Sequence, residues 1–398
     1  MSRSPATARL SFLMLLFTGT LCSSMIVPFI GFFLVEGLGQ APWMISLYSL
    51  GAVAITLFTN QQFARQIDRG APAFRLIALA ACAYICASAS LLAIPSVWVV
   101  LSAGVLGFGL SASAISTMFS LGGALAEKQT IDRPRFNAHM RATTSTAWML
   151  GPAATYLIAD AVALRAVFAM ALTGGVLWIT LLQIALPRNI AAPAPAKART
   201  GTSDNTAPIK APLYLAAGFI FCLSLAHSMT FSALPLFYVQ EVGLPGYAPG
   251  MAFSIKTFVE VWAIFGTPML IARVGLYRAL LGTAVLAVTA IFILSTITSL
   301  SQMLAGAALE GLYYGLYASL GISYIQSFAT DRPAQATALY WNTLMVTGLL
   351  AGPVVGAVAS AYDFKSVVQL AALVAVAAVG VLLIGRKGPN PAPAEPLR

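Results

Sequence analysis

Residues 10–35 read LSFLMLLFTGTLCSSMIVPFIGFFLV, a run of twenty-six residues without one charged side chain. A helix needs about 20 apolar residues to cross a hydrocarbon core of about 30 Å. The run is too long for the core of a signal peptide and is followed by more of its kind, so it is expected to persist as a transmembrane helix. Working outward with the same ruler gives eleven further spans: 42–64, 74–94, 97–123, 137–159, 164–187, 212–239, 247–272, 278–298, 301–327, 336–360 and 364–385. Residues 188–211, rich in Ala, Pro, Thr and Ser, separate the sixth from the seventh and cannot bury a core, so they read as a linker. The expected organisation is therefore an all-α membrane protein of twelve helices: a six-helix half over 1–187, the linker, a second half over 212–385, and a disordered tail over 386–398.

Composition agrees. Of 398 residues, 59% are hydrophobic and 9% charged, against about 25% charged in a soluble domain. Too little charge is present to cover a water-facing surface, and a lipid bilayer removes that need. The net charge of +10 does not signal nucleic acid, because Lys and Arg sit in short gaps between apolar runs rather than in a dense patch. With a cytoplasmic N-terminus, eighteen of the Lys and Arg residues fall on the cytoplasmic side and two, Arg165 and Lys365, on the other, with Arg141 and Lys256 inside spans. That asymmetry places both termini in the cytoplasm. The four cysteines lie inside apolar runs without metal spacing and are expected to be small buried apolar residues.

The halves echo each other. Gly151-Pro152 in span five and Gly352-Pro353 in span eleven are 201 residues apart, and Arg141 and Asn342 each lie ten residues before the glycine. Gly109 aligns with Gly315 and Ser113 with Ser319 in spans four and ten. Membrane proteins built from such repeats place a solute site near the bilayer midplane at the repeat interface.

Ionisable groups within the bilayer cost about 2.5–3.5 kcal/mol each on insertion scales, so they are the first functional candidates. Lys256 and Glu260 are four residues apart on one helix face, where a direct pair would lower the desolvation cost of both. Glu260 lies near mid-span and reads as a protonation site, with Lys256 its counter-charge; a static pair pinning span eight is the plainer reading. Glu310 shares its helix with Tyr313, Tyr314 and Tyr317, and the four read as a solute-binding wall of rings and carboxylate or as helix packing. Arg141 either snorkels to the interface or faces the cavity and binds solute or a carboxylate such as Glu310. Its repeat equivalent Asn342, with Trp341 beside it, completes the solute-binding candidates. His227 and His139 lack partners in sequence and read as packing residues. Asp68 and Arg69 after span two, and Arg273 after span eight, are candidates for latching a cytoplasmic gate.

The chain resembles the major facilitator superfamily. Asp68, Arg69 and Gly70 echo its G-x-L-x-D-R-x-G-R-R/K loop, with Ala64 in place of the leading glycine, and Gly151-Pro152 echoes its G-x-x-x-G-P signature, with Ala147 for the first glycine. Within that superfamily it is most similar to the bacterial sugar efflux transporter (SET) family. That likeness rests on Arg141-Ala142 through Trp148 to Gly151-Pro152, on Glu260 followed by Arg273-x-Gly275, and on Ala338-Leu339-Tyr340-Trp341-Asn342-Thr343. The resemblance implies efflux of sugars or glycosides across a bacterial inner membrane in exchange for protons. It implies family positions for Arg141, Glu260 and Asn342, whereas Lys256, Glu310 and Met345 depart from the pattern. Drugs, siderophore-like chelators or other metabolites are the alternative cargo. An enzyme would need clustered catalytic side chains, and direct ATP use would need a GxxxxGK[ST] loop; neither is present. No cofactor or metal is expected, the partners are solute, protons and lipid, and nothing in the loops demands a second subunit.

Overall fold

The computed structural model describes residues 5–128, 133–188, 211–328 and 333–385. The linker and the tail read from the sequence lie almost wholly outside them. The described residues form twelve helical rods. In the first half they are α1 (Pro5–Ile26, continued by Phe29–Phe32 and a π-helical turn Phe33–Gly37), α2 (Trp43–Asp68), α3 (Ala73–Ala93), α4 (Val97–Val99, a π-helical turn Val100–Gly104, then Val105–Lys128), α5 (Arg133–Ala161) and α6 (Ala166–Ala185). In the second half they are α7 (Ala211–Leu236 with a π-helical turn Phe237–Glu241), α8 (Ala248–Val274), α9 (Leu276–Leu294), α10 (Leu300–Ser327), α11 (Pro333–Ala361) and α12 (Phe364–Gly385). Helices satisfy every mid-span N–H and C=O within one segment, which is what a bilayer requires.

Among the described residues, ten of these helices are long and apolar enough to cross a membrane by length and composition. The two that fall short are α5 and α10. They carry Arg141 with a run of threonines and Glu310 with four tyrosines, polar residues that lower the hydropathy of helices 29 and 28 residues long. The boundaries differ by up to five residues: α1 begins at Pro5 rather than 10, α4 runs to Lys128 rather than 123, and α9, read to residue 298, ends at Leu294, where Ser295 closes the last turn.

The repeat is written into the backbone. The left-handed glycines form two pairs: Gly39 and Gly243 (φ 61° and 72°), each after a π-helical turn, and Gly70 and Gly275 (φ 82° and 83°), after α2 and α8. Members of the second pair are 205 residues apart. A side chain is rarely tolerated at such φ, so both halves end these elements in the same way.

The chain divides into two compact units, one of Met1–Asp204 with Pro245–Ser254, the other of Asn205–Leu244 with Ile255–Arg398. In the first, α1 packs on α5 and α6, and α3 on α4 and α6. In the second, α7 packs on α11 and α12, and α9 on α10 and α12, the same pattern one repeat later. Small residues set the closest approaches, as expected where lipid supplies no hydrophobic drive between helices. A methyl group at Gly151 would strike Ser24 Oγ of α1, and Ser24 Oγ donates to the Ala147 carbonyl across the same contact at 2.9 Å. Gly109 brings α4 against the Ala52 carbonyl of α2, and its counterpart Gly315 brings α10 against the Glu260 carbonyl of α8. The glycine alignment seen in the sequence is thus a shared helix contact.

The cysteine reading needs correction. Cys22 is buried, but Cys82 and Cys86 are exposed and Cys222 is half-buried. The exposed pair lies midway along α3, a helix long and apolar enough to cross a membrane.

Candidate functional site

The second unit holds a cluster of polar side chains inside its helix packing. The backbone makes room for it. Gly311 on α10 sits so close to α8 that a methyl group there would fall on the Lys256 carbonyl. In the first unit the glycine is on the other helix, Gly51 of α2, and faces Val105 of α4. The same crossing is therefore built with the small residue exchanged between helices, and in the second unit a lysine occupies the other side.

Lys256 is 4% exposed and Glu310 3%. Lys256 Nζ lies 3.0 Å from Glu310 Oε1. The angles fall short of a hydrogen bond, so Glu310 Oε1 has charge compensation without a directed donor. The i,i+4 spacing suggested Glu260 as the partner of Lys256; the structure pairs it with Glu310 instead, across two helices. Glu260 is half-buried one turn along α8, and its side chain forms no ion pair among the described residues.

His227 of α7 completes the cluster. Its Nε2 is 3.2 Å from Lys256 Nζ and its Nδ1 is 2.9 Å from the Tyr313 hydroxyl. An ammonium can only donate, so Nε2 accepts and the imidazole proton resides on Nδ1. From there it points at Tyr313 and toward Glu310 Oε1, 3.7 Å away. Tyr314 stacks on the imidazole at 3.8 Å with an interplanar angle of 16°. The ammonium also lies over the rings of Phe231 (4.9 Å) and Tyr314 (5.2 Å), within cation–π range. Tyr317, one turn farther along α10, donates to the Ile220 carbonyl at 3.0 Å and so accepts from Ser224 Oγ at 2.6 Å.

The site residues read from the sequence thus separate. Lys256, Glu310, Tyr313, Tyr314 and Tyr317 come together, joined by His227, an ionisable group inside a span that had read as a packing residue. Tyr313 and Tyr317 are buried at 0% and 1% exposure and make helix-to-helix bonds; Tyr314 is half-buried. Trp341 and Asn342 are exposed on α11, with Trp341 edge-on to Tyr340. Arg141 is exposed on α5, and Glu310 takes its cation from Lys256. Arg69 and Arg273 are exposed at the ends of α2 and α8; the Asp68 side chain lies outside the described residues.

A second anchored feature lies at the start of α12. The Glu241 carboxylate accepts the Phe364 and Lys365 amides at 2.6 and 3.1 Å, and Asp363 Oδ1 accepts the Ser366 amide at 2.6 Å. These bonds satisfy donors that a helix start leaves unpaired. The Ser366 hydrogen bonds hold the Asp363 carboxyl below its ordinary value.

Twelve membrane helices in two repeated bundles, with costly charges gathered inside one of them, define a polytopic transporter. The sequence profile of the Major Facilitator Superfamily matches residues 12–340, and the chain belongs to that family. It is 23% identical to sugar efflux transporter B of Salmonella typhimurium, over 92% of this chain and 93% of that one. It is 26% identical to a putative sugar efflux transporter of Deinococcus radiodurans, over 93% and 96%. The solved structure of the nucleoside transporter NupG superposes with a TM-score of 0.79 at 12% identity, covering 96% of this chain and 100% of that one, a likeness of fold.

Proposed function

We propose that this transporter exports sugars or glycosides from the cytoplasm across the bacterial inner membrane, in exchange for protons. Both termini are cytoplasmic in this reading, following the Lys and Arg asymmetry. The observation that carries it is the buried Lys256–Glu310 pair with Glu260 one turn away: two acids and one ammonium in an apolar interior, a set whose charge balances only with a proton. Glu260 takes the proton, and Arg141, Trp341 and Asn342, all exposed, contact solute. Tyr314, half-buried beside the cluster, adds a ring to the solute contact. The names of the relatives in Salmonella and Deinococcus, sugar efflux transporters both, support the cargo class. The energetics suffice, since one proton moving down 100 mV supplies about 2.3 kcal/mol.

The test is uptake into everted vesicles that contain the protein, energised by a pH gradient, with a panel of labelled mono- and disaccharides and aryl glycosides. At least one sugar is expected to accumulate above control vesicles, and collapse of the gradient is expected to stop it. Accumulation of drugs or chelators with no sugar would move the cargo to the alternative class. Transport indifferent to the pH gradient would remove proton exchange.

A further inference from the structure

The repeat supplies a control for the polar cluster. At the 205-residue offset of Gly70 and Gly275, Lys256 and Glu260 correspond to Gly51 and Ile55, and at the 204-residue offset of Gly39 and Gly243 His227 corresponds to Ser23. At the 206-residue offset of Gly109 and Gly315 on the helix concerned, Glu310 corresponds to Gly104. None of these counterparts is ionisable at neutral pH, and the first unit makes the equivalent helix contacts without them. The fold therefore does not need the charges, and stability alone does not account for their presence.

We propose that Lys256 is a movable cation shared between Glu310 and Glu260, and that the cluster holds one exchangeable proton, which neutralises whichever carboxylate Lys256 leaves. The proposal deepens the proton-exchange reading and rests on it for its role in transport. In the conformation described here Lys256 sits on Glu310, and Glu260 carries the proton. In the other arrangement the ammonium turns one helical turn along α8 to Glu260, and the proton passes to Glu310. In both arrangements one ammonium, one carboxylate and one carboxylic acid leave no net charge in the membrane interior.

Three observations carry this. Lys256 and Glu260 share a face of α8 at i and i+4, within reach of a lysine side chain. Glu310 faces Lys256 from α10 at 3.0 Å, so the ammonium already has one carboxylate across the helix contact and a second four residues along its own helix. His227 accepts from Lys256 through Nε2 and carries its proton on Nδ1, which is bonded to Tyr313 and lies 3.7 Å from Glu310 Oε1, so a neutral imidazole stands beside both the ammonium and the carboxylate without adding charge. The other titratable groups packed round the cluster are Tyr313 and Tyr314 of α10, with Tyr238 of α7 beside Glu310 and Tyr340 of α11 beside Tyr314.

The experiment is infrared difference spectroscopy of the purified protein, without solute, reading the C=O stretch of a buried carboxylic acid. The parent protein is expected to show one such band, and Glu260→Gln to lose it. Glu310→Gln is expected to lose it as well, although Glu260 is intact, because Lys256 moves to Glu260 and ionises it. For the same reason Glu310→Gln is expected to fold with a melting temperature close to the parent, and the Glu260→Gln/Glu310→Gln double variant, which leaves the ammonium without a partner, is expected to melt well below either single variant. Persistence of the band in Glu310→Gln, absence of a band in the parent, or failure of Glu310→Gln alone to fold would each overturn the shared cation. None of these readouts uses solute, so failure of the transport assay is seen separately.

Discussion

Gly311→Ala isolates the contact on which the cluster is built. The added methyl group meets the carbonyl oxygen of Lys256, with the Lys256 carbonyl carbon at 2.9 Å and Cα at 3.0 Å. All three atoms are backbone, so no side chain can swing aside and α8 and α10 must separate. Overpacking of this kind costs about 1–3 kcal/mol, and an unyielding backbone places it near the upper end. Removing a helical glycine returns about 1 kcal/mol, leaving a net loss of about 2 kcal/mol. At about 2–4 °C per kcal/mol for a domain of this size, the melting temperature is expected to fall by about 4–8 °C. Gly348→Ala is the matched control, because nothing lies within 4 Å of its added methyl group and only the helix-propensity gain remains. Intrinsic tryptophan fluorescence of the detergent-solubilised protein during a thermal ramp reads both. Equal melting temperatures for the two variants would refute the close approach of α8 to α10, and with it the geometry that sets Lys256 on Glu310.

Tyr317→Phe removes the hydroxyl that joins Ser224 and the Ile220 carbonyl to α10, and is expected to cost about 1–3 kcal/mol because both partners stay buried; a melting curve checks it. Asp363→Ala removes the side-chain cap of α12 and is expected to cost about 1 kcal/mol at neutral pH. The Asp363 carboxyl titrates below its unfolded value, so its contribution is present above the ordinary carboxylate range and is lost as pH falls through the lower folded value. Melting curves of parent and variant are accordingly expected to converge in strong acid. Arg141→Ala and Asn342→Ala are expected to weaken solute binding while leaving the melting temperature unchanged, since both side chains are exposed; a solute-titrated thermal shift separates the two effects.

The fold was legible because a bilayer imposes one rule on every span, and the apolar runs obey it. Even α5 and α10, too polar to pass on hydropathy, were found from their length and from the alternation of charged loops. The repeat was visible in Gly109 and Gly315, whose alignment proved to be a common helix crossing. The cluster was only half legible. Lys256, Glu310 and the tyrosines stood out as expensive residues in an apolar setting. Their partnerships did not, because sequence spacing reports neighbours on one helix and the pairs here cross helices. Lys256 and Glu260 looked paired at i,i+4, yet a glycine on α10 brings Glu310 nearer. His227 bridges to Tyr313 across 86 residues of sequence, a distance over which no local pattern signals contact.

The proposed exchange ties solute movement to protonation of the second unit's acids. Purified protein in liposomes, with a pH-sensitive dye trapped inside and a transported sugar added outside, tests that link directly. The parent protein is expected to move protons opposite to the sugar. Glu260→Gln is expected to exchange labelled for unlabelled sugar across the membrane while moving no protons. Proton movement of parent size in Glu260→Gln, or sugar flux in the parent with no proton signal, would contradict the account.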